Sequence, residues 1–349
     1  MSQNSTTVFN RTLMANCSYR HFVKLLYSAS LLMLALLAAD FVKAAEQLKL
    51  AHVGSRDGAI GRGGDRFAAN LEKVSNGEMT VKVIPEGSLG GIREIWAQMQ
   101  TGTVDMQVID LSAISMLKSG KAMQVVILPY LFESQEHFRN FAESELLTEM
   151  TTEIRGKTNI RYLGIVEDRS PRIISTTGRA VKSVKDVAGL KIRVPGHPMF
   201  IKVFKSWGAV PTPMSPADMF MALKSGMVDA EDNGIVNLVD TSNREVIKSV
   251  TPINWSRSGV AAWISELRWK QFSNQQRKWI REAIALSESE SKPVFQQRMQ
   301  EAREKLTDLG IVMQSADIDS FKAATKGFHQ QFEDIWPAGT VEKITAMAD

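Results

Sequence analysis

Arg193 stands inside an otherwise apolar run, Leu190, Ile192 and Val194, that ends at Pro195. A guanidinium cannot be neutralised near pH 7, and an arginine in an apolar strand needs an anionic partner, either from the protein or from a bound molecule. Arg172 occupies a similar strand start one connection earlier, and Asn233 follows a third strand after Asp229-Ala230-Glu231-Asp232. Strands of open α/β sheets deliver their end residues into a crevice, so two guanidiniums and a carboxamide meeting there would form a donor-rich pocket for an anion. A carboxylate gripped by the arginine fork is its simplest occupant. Plainer roles stay open at this stage: an internal salt bridge for either arginine, and a turn for Asn233 beside Gly234.

Patterns for covalent or metal chemistry are missing from the sequence. His52, His137, His197 and His329 show no i, i+4 spacing with another ligand, so no metal is expected. The glycine-dense stretch Gly58 to Gly64 lacks the phosphate-loop and dinucleotide patterns, and there is no Gly-x-Ser-x-Gly elbow, so no cofactor is expected either. An enzyme would have to work with carboxylates or lysines. A lyase or isomerase of a small carboxylic acid, with Glu231 and Asp232 as its acid/base pair, is one alternative to a binding protein; a ligand-sensing partner of a signalling receptor is another.

The elements that must position these residues alternate between short apolar strands and amphipathic helices. Leu48 to Val53, Thr80 to Ile84 and Met106 to Ile109 read as strands, with helices marked by Phe67, Leu71 and Val74 and by Ile92 to Gln100 between them. This βαβαβ order implies an α/β lobe with parallel strands. A second α/β lobe begins near Arg169, with strands at Arg172 to Ser175 and Lys191 to Val194 and helices at Met199 to Trp207 and Ala217 to Lys224. The two lobes share a spacing, Glu94-x7-Gly102-x-Val104-Asp105 and Asp218-x7-Gly226-x-Val228-Asp229, in which each glycine suits the left-handed position after a helix. Near the C-terminus Ser273 and Gln276 form a capping box, and helical periodicity runs to Gly310 through Pro293, which should kink it. A helix of roughly 36 residues would be some 54 Å long, enough to brace both lobes.

Arg11, Arg20 and Lys24 precede an apolar run from Leu25 to Ala39, and Val42-Lys43-Ala44 fits a signal-peptidase site, so residues 1–44 are expected to be a signal peptide cleaved after Ala44. The run falls short of the roughly 20 residues of an ordinary membrane span. This segment holds +3 of the formal +4 charge, leaving the mature chain at +1 with no basic stripe for nucleic acid. The only cysteine, Cys17, lies in it too, so the mature chain needs no disulfide, which suits a bacterial periplasm.

Taken together, Gly189-Leu-Lys-Ile-Arg-Val-Pro195, Gly208-Ala-Val-Pro-Thr-Pro-Met214 and Ala222-Leu-Lys-Ser-Gly-Met-Val-Asp-Ala-Glu-Asp-Asn233 closely resemble the solute receptors of tripartite ATP-independent periplasmic (TRAP) transporters, the DctP family. Ser88-Leu-Gly-Gly91 with Arg93-Glu94, Gly102-Thr-Val-Asp105 and Pro129-Tyr-Leu-Phe132 agree in order and spacing, so the likeness covers essentially all of the mature chain. It implies a two-lobed periplasmic-binding-protein-like α/β fold with a long helix spanning both lobes. The expected division is lobe I at 45–168 plus about 258–297, and lobe II at 169–257 plus about 298–349. It also implies a monomeric receptor that binds a C4-dicarboxylate or a sugar acid, such as an aldonate or uronate, and docks on a TRAP membrane permease. An ATP-dependent uptake receptor would share the general architecture but lack this motif series. The family's carboxylate-binding arginine falls on Arg193, its second arginine on Arg172 and its site asparagine on Asn233. The chain departs from the pattern at Ile92, Pro216 and Ala230, and the first two flank the pocket in relatives. His52, Arg56, Trp96 and Trp255 are the candidates to contact the far end of the ligand.

Overall fold

The computed structural model describes residues 45–348. The expected signal peptide lies outside the described residues. Among the described residues eleven strands run in chain order as β1 (Glu46–Ala51), β2 (Met79–Ile84), β3 (Met106–Asp110), β4 (Ile160–Asp168), β5 (Arg172–Thr176), β6 (Lys191–Val194), β7 (Val210–Pro213), β8 (Ala230–Gly234), β9 (Ser249–Thr251), β10 (Gly259–Ser265) and β11 (Val312–Met313). They form a five-stranded sheet ordered β2-β1-β3-β10-β4 and a six-stranded sheet ordered β11-β9-β5-β8-β6-β7. Each sheet has its own helices, which gives the two-lobed α/β architecture.

In the first sheet β1 pairs in parallel with β2 and β3, as the βαβαβ pattern requires, and β10 inserts antiparallel between β3 and β4. Leu48 and Leu50 of β1 and Met106 and Val108 of β3 bury against Phe67 and Leu71 of the helix Ala59–Val74. The chain crosses to the second sheet through residues 169–171 and returns through residues 252–258. In the second sheet β8 lies between β5, antiparallel, and β6, parallel. The two helix-to-strand junctions use the same device: Gly102 at φ 78° and Gly226 at φ 73° both adopt the left-handed conformation that a Cβ disfavours.

One helix, Asn274–Asp308, runs for 35 residues with Pro293 inside it. Its N-terminus carries the reciprocal cap, Gln276 N donating to Ser273 Oγ at 3.2 Å and Ser273 N to Gln276 Oε1 at 2.9 Å. Ile280, Ala283 and Ile284 pack into the core beneath the first sheet, whereas Phe295, Met299, Ala302 and Leu306 pack with Ile173, Met219 and Leu223 of the second lobe. The helix is therefore a strut shared by both cores. The C-terminal segment adds β11 to β9 and buries Phe321 against Trp207. Its last turn then reaches the first lobe, where Asn140 Nδ2 donates to the carbonyl of Met347 at 3.0 Å.

Candidate anion-binding site between the lobes

The register of three adjacent strands gathers the candidate residues. Arg172 opens β5 opposite Gly234, Ile173 faces Asn233, and Arg193 lies beside Glu231 near the end of β6. Because β5 and β8 are antiparallel, the start of one meets the end of the other, so residues far apart in sequence converge at one edge of the sheet. Strand alternation then sorts them by face: Asp232 projects opposite to Glu231 and Asn233.

On one face Arg172 is held by its own acid. Its Nε donates to Asp232 Oδ2 at 2.9 Å and its Nη2 to the Asp232 carbonyl at 2.8 Å, while the guanidinium lies 4.6 Å over the ring of Phe200. The other oxygen of Asp232 accepts from Trp255 Nε1 at 2.9 Å. Trp255 is fully buried in an edge-to-face cluster with Phe200, Phe204 and Trp207. The structure thus gives Trp255 a core position and an internal hydrogen bond.

Arg193, on the other face, has no ion pair among the described residues. Its Nε and Nη2 donate to the Met214 carbonyl at 3.2 and 2.8 Å, an oxygen presented by the Pro211-Thr-Pro-Met214 segment that pairs with β6. Only 3% of the residue is exposed, and burial pulls its pKa down to about 10, the nearby charge of Glu231 opposing that fall, so it remains a cation at neutral pH. Glu231 is fully buried with one oxygen accepting from Asn243 Nδ2 at 2.9 Å and the other, Oε1, without a partner. Burial pushes the Glu231 carboxyl up to about 7 against the opposing pull of Arg193.

Asn233 completes the edge and brings in two residues that the sequence reading missed. Its Oδ1 accepts from Gly234 N at 3.0 Å and from Arg169 Nη2 at 3.3 Å, and Arg169 Nη1 donates to Asp110 Oδ2 at 2.6 Å. Asp110, at the end of β3, also accepts from Ser112 N and Oγ and from Ser258 Oγ. Burial alone would raise the Asp110 pKa, but Arg169, Ser112, Arg172 and Ser258 together outweigh it and hold the carboxyl below its ordinary value. The signal for Arg169 was present in Asp168-Arg169-Ser170-Pro171-Arg172, where Pro171 forbids a helix and leaves two arginines in one short connection.

Two further candidates belong to the first lobe. Trp96 is fully buried in the first lobe, edge-on to Trp263 at 5.7 Å. His52 is 1% exposed, neither ring nitrogen has a partner, and burial lowers its pKa. Both occupy interior positions of the first lobe. Two further contacts join the lobes: Arg62 Nη1 to Asp240 Oδ2 at 2.7 Å, and Ser115 Oγ to His197 Nε2. Among the described residues no group of three His, Cys, Asp or Glu side chains is placed to hold a metal ion, and no helix is long and apolar enough to cross a membrane.

Known proteins resemble this chain in sequence and fold. The family described as bacterial extracellular solute-binding protein, family 7 (DctP) matches residues 50–334. A solute-binding protein of Roseobacter denitrificans is 29% identical over 309 residues, covering 88% of this chain and 93% of the relative. The sialic acid-binding periplasmic protein SiaP of Vibrio cholerae is 25% identical, covering 93% of this chain and 100% of the relative. Among solved structures, a TRAP periplasmic solute-binding protein from Roseobacter denitrificans with bound L-galactonate superposes with a TM-score of 0.78 at 28% identity, covering 86% of this chain and 98% of that one.

Proposed function

We propose that this chain, which belongs to the DctP family of bacterial extracellular solute-binding proteins, carries a small organic acid whose carboxylate is held by Arg193. The protein is a TRAP-type solute receptor and not an enzyme. A sugar acid or a C4-dicarboxylate is the ligand class, in line with the L-galactonate bound to the Roseobacter structure. The observation that carries the reading is the state of Arg193: of the three arginines at the strand edge, Arg169 and Arg172 are paired with Asp110 and Asp232, and Arg193 alone has no carboxylate. A buried cation without a counter-ion favours an anion from outside.

In this mechanism the open lobes admit the acid to Arg193 and Asn233, with Arg172, itself paired to Asp232, adding its positive charge nearby, and closure expels water, which lowers the local dielectric and strengthens the charge-assisted hydrogen bonds. Motion about the crossovers 169–171 and 252–258 converts occupancy into a shape that a membrane permease recognises. In this reading the lobes divide near the crossovers, the long helix is shared between them, and cleavage after Ala44 releases a periplasmic monomer. The test is a thermal-shift screen of aldonates, uronates and C4-dicarboxylates, followed by calorimetry on wild type and Arg193→Lys. A ligand at 100 times its dissociation constant stabilises by about 2.7 kcal/mol, well within detection. The lysine variant keeps the charge but loses the fork, and unchanged affinity in it would remove Arg193 from the carboxylate.

A further inference from the structure

We infer that Arg169 is a positioning residue: it fixes the Asn233 side-chain amide so that its Nδ2 faces the ligand as a donor, and it anchors that amide to the first lobe through Asp110. The inference rests on the carboxylate reading of the site.

An asparagine amide has an accepting end and a donating end, and its neighbours decide which end faces where. Asn233 Oδ1 is met by two donors, its neighbour's amide Gly234 N at 3.0 Å and Arg169 Nη2 at 3.3 Å. Guanidinium and amide N–H groups have no lone pair to offer, so a flipped amide would set its NH2 against both and leave all of them unsatisfied. Oδ1 is therefore fixed inward, and Nδ2, which makes no hydrogen bond to a described residue, is left to donate. Such a group suits a carboxylate oxygen.

Arg169 is itself immobilised. Asp110 takes its Nη1 at 2.6 Å and is held by Ser112 and Ser258, the second of which lies in the return crossover. The outgoing crossover 169–171 also runs hard against the end of β8: a Cβ at Gly234 would lie 2.6 Å from the Ser170 carbonyl oxygen. One side chain thus links the end of β3 in the first sheet to the end of β8 in the second, through the segment that joins them. A change in lobe orientation that moved Asp110 would loosen the Asn233 amide at the same time.

The test is a double-mutant cycle. Wild type, Arg169→Met, Asn233→Ala and the double variant are titrated calorimetrically with L-galactonate, D-glucuronate and L-malate, and Arg193→Ala is run in parallel. If Arg169 acts through Asn233, each single change weakens binding roughly 10- to 100-fold, as expected for a hydrogen bond to a charged group, and the double variant is no weaker than Asn233→Ala. Independent, multiplying losses would overturn the inference, since a direct contact or a purely structural role adds to the loss of Asn233. Because Arg169→Met leaves Asp110 without its cation, the cycle is repeated with Arg169→Met made together with Asp110→Asn, for which the same non-additivity is expected. Multiplying losses with a damaging Arg193→Ala would sink the positioning role alone. If none of the three acids bound wild type, or if Arg193→Ala bound as wild type does, the carboxylate reading would fall and this inference with it.

Discussion

The two faces of the second sheet at β8 hold the same kind of residue in opposite conditions. Arg172 and Arg193 each stand in a short apolar strand and are both buried. Arg172 meets Asp232, whose second oxygen is taken by Trp255, so its charge is answered within the protein. Arg193 meets only a carbonyl, and the nearest acid, Glu231, is driven by burial toward its protonated form. The first arrangement builds a rigid wall and the second leaves a cation whose best partner comes from solution. Function here depends on which face of one strand an acid projects from.

Removing the acid from the closed face should have the larger effect. Asp232→Ala leaves Arg172 buried with no counter-ion and also strands the Trp255 indole N–H. Breaking a buried pair from one side costs about 3–5 kcal/mol, so chemical denaturation should show a loss of that order. On the other face Arg193→Ala breaks no ion pair. It should lower the affinity for the cognate acid by about 2–5 kcal/mol, measured calorimetrically, with a smaller loss of stability than Asp232→Ala. If the two variants showed the reverse pattern, stability lost at Arg193 and binding lost at Asp232 alone, the contrast between the faces would be wrong.

Glu231 sharpens the comparison through pH. Its folded pKa is raised from 4.5 to about 7, so below the unfolded value it is protonated in both states. Between pH 4.5 and 7 the unfolded chain gives up the proton and the folded chain keeps it, so its contribution to stability falls as pH rises through that window. The groups acting on it are Arg193, Arg172, Asp232 and Asn243. A carboxylate bound at Arg193 would raise the Glu231 pKa further, so binding should take up a proton and weaken as pH rises from about 6 to 8. Glu231→Gln should flatten both profiles. A wild-type affinity independent of pH over that range would show that Glu231 does not sense the ligand.

Much of this architecture was legible because it rests on local rules. The strand at Lys191 to Val194, the left-handed glycines Gly102 and Gly226, and the Ser273–Gln276 cap each follow from a few neighbouring residues. Pairing across the sheet was not legible in the same way. Asp232 lies 60 residues from Arg172 and reaches it only because β5 and β8 are antiparallel in one register. A shift of a single residue would offer Glu231 instead. Asp110 and Arg169 were hidden for the same reason, since their meeting depends on how a crossover lies against the end of β3. Trp96, Trp255 and His52 show a related gap: their polar tips suggest a site from sequence, but how deeply each is buried depends on the packing of whole elements.

The contact between the lobes farthest from Arg193 in character is Arg62 with Asp240, and it should matter least. Arg62 belongs to the helix Ala59–Val74 of the first lobe and Asp240 to the helix Ile235–Asp240 of the second, at 2.7 Å, with side chains 14% and 20% exposed. Water reaches both groups, and pairs of this kind contribute about 0.2–1 kcal/mol. The pair spans the lobes in this structure, so a change of lobe orientation that separated the two groups would forfeit that contribution. Arg62→Ala should therefore weaken binding by no more than roughly fivefold and chiefly by faster release. Raised salt should reproduce part of the effect in wild type, because the pair is screened where Arg193 is not. Stopped-flow release rates that matched wild type would show that the Arg62–Asp240 pair does not slow release of the ligand.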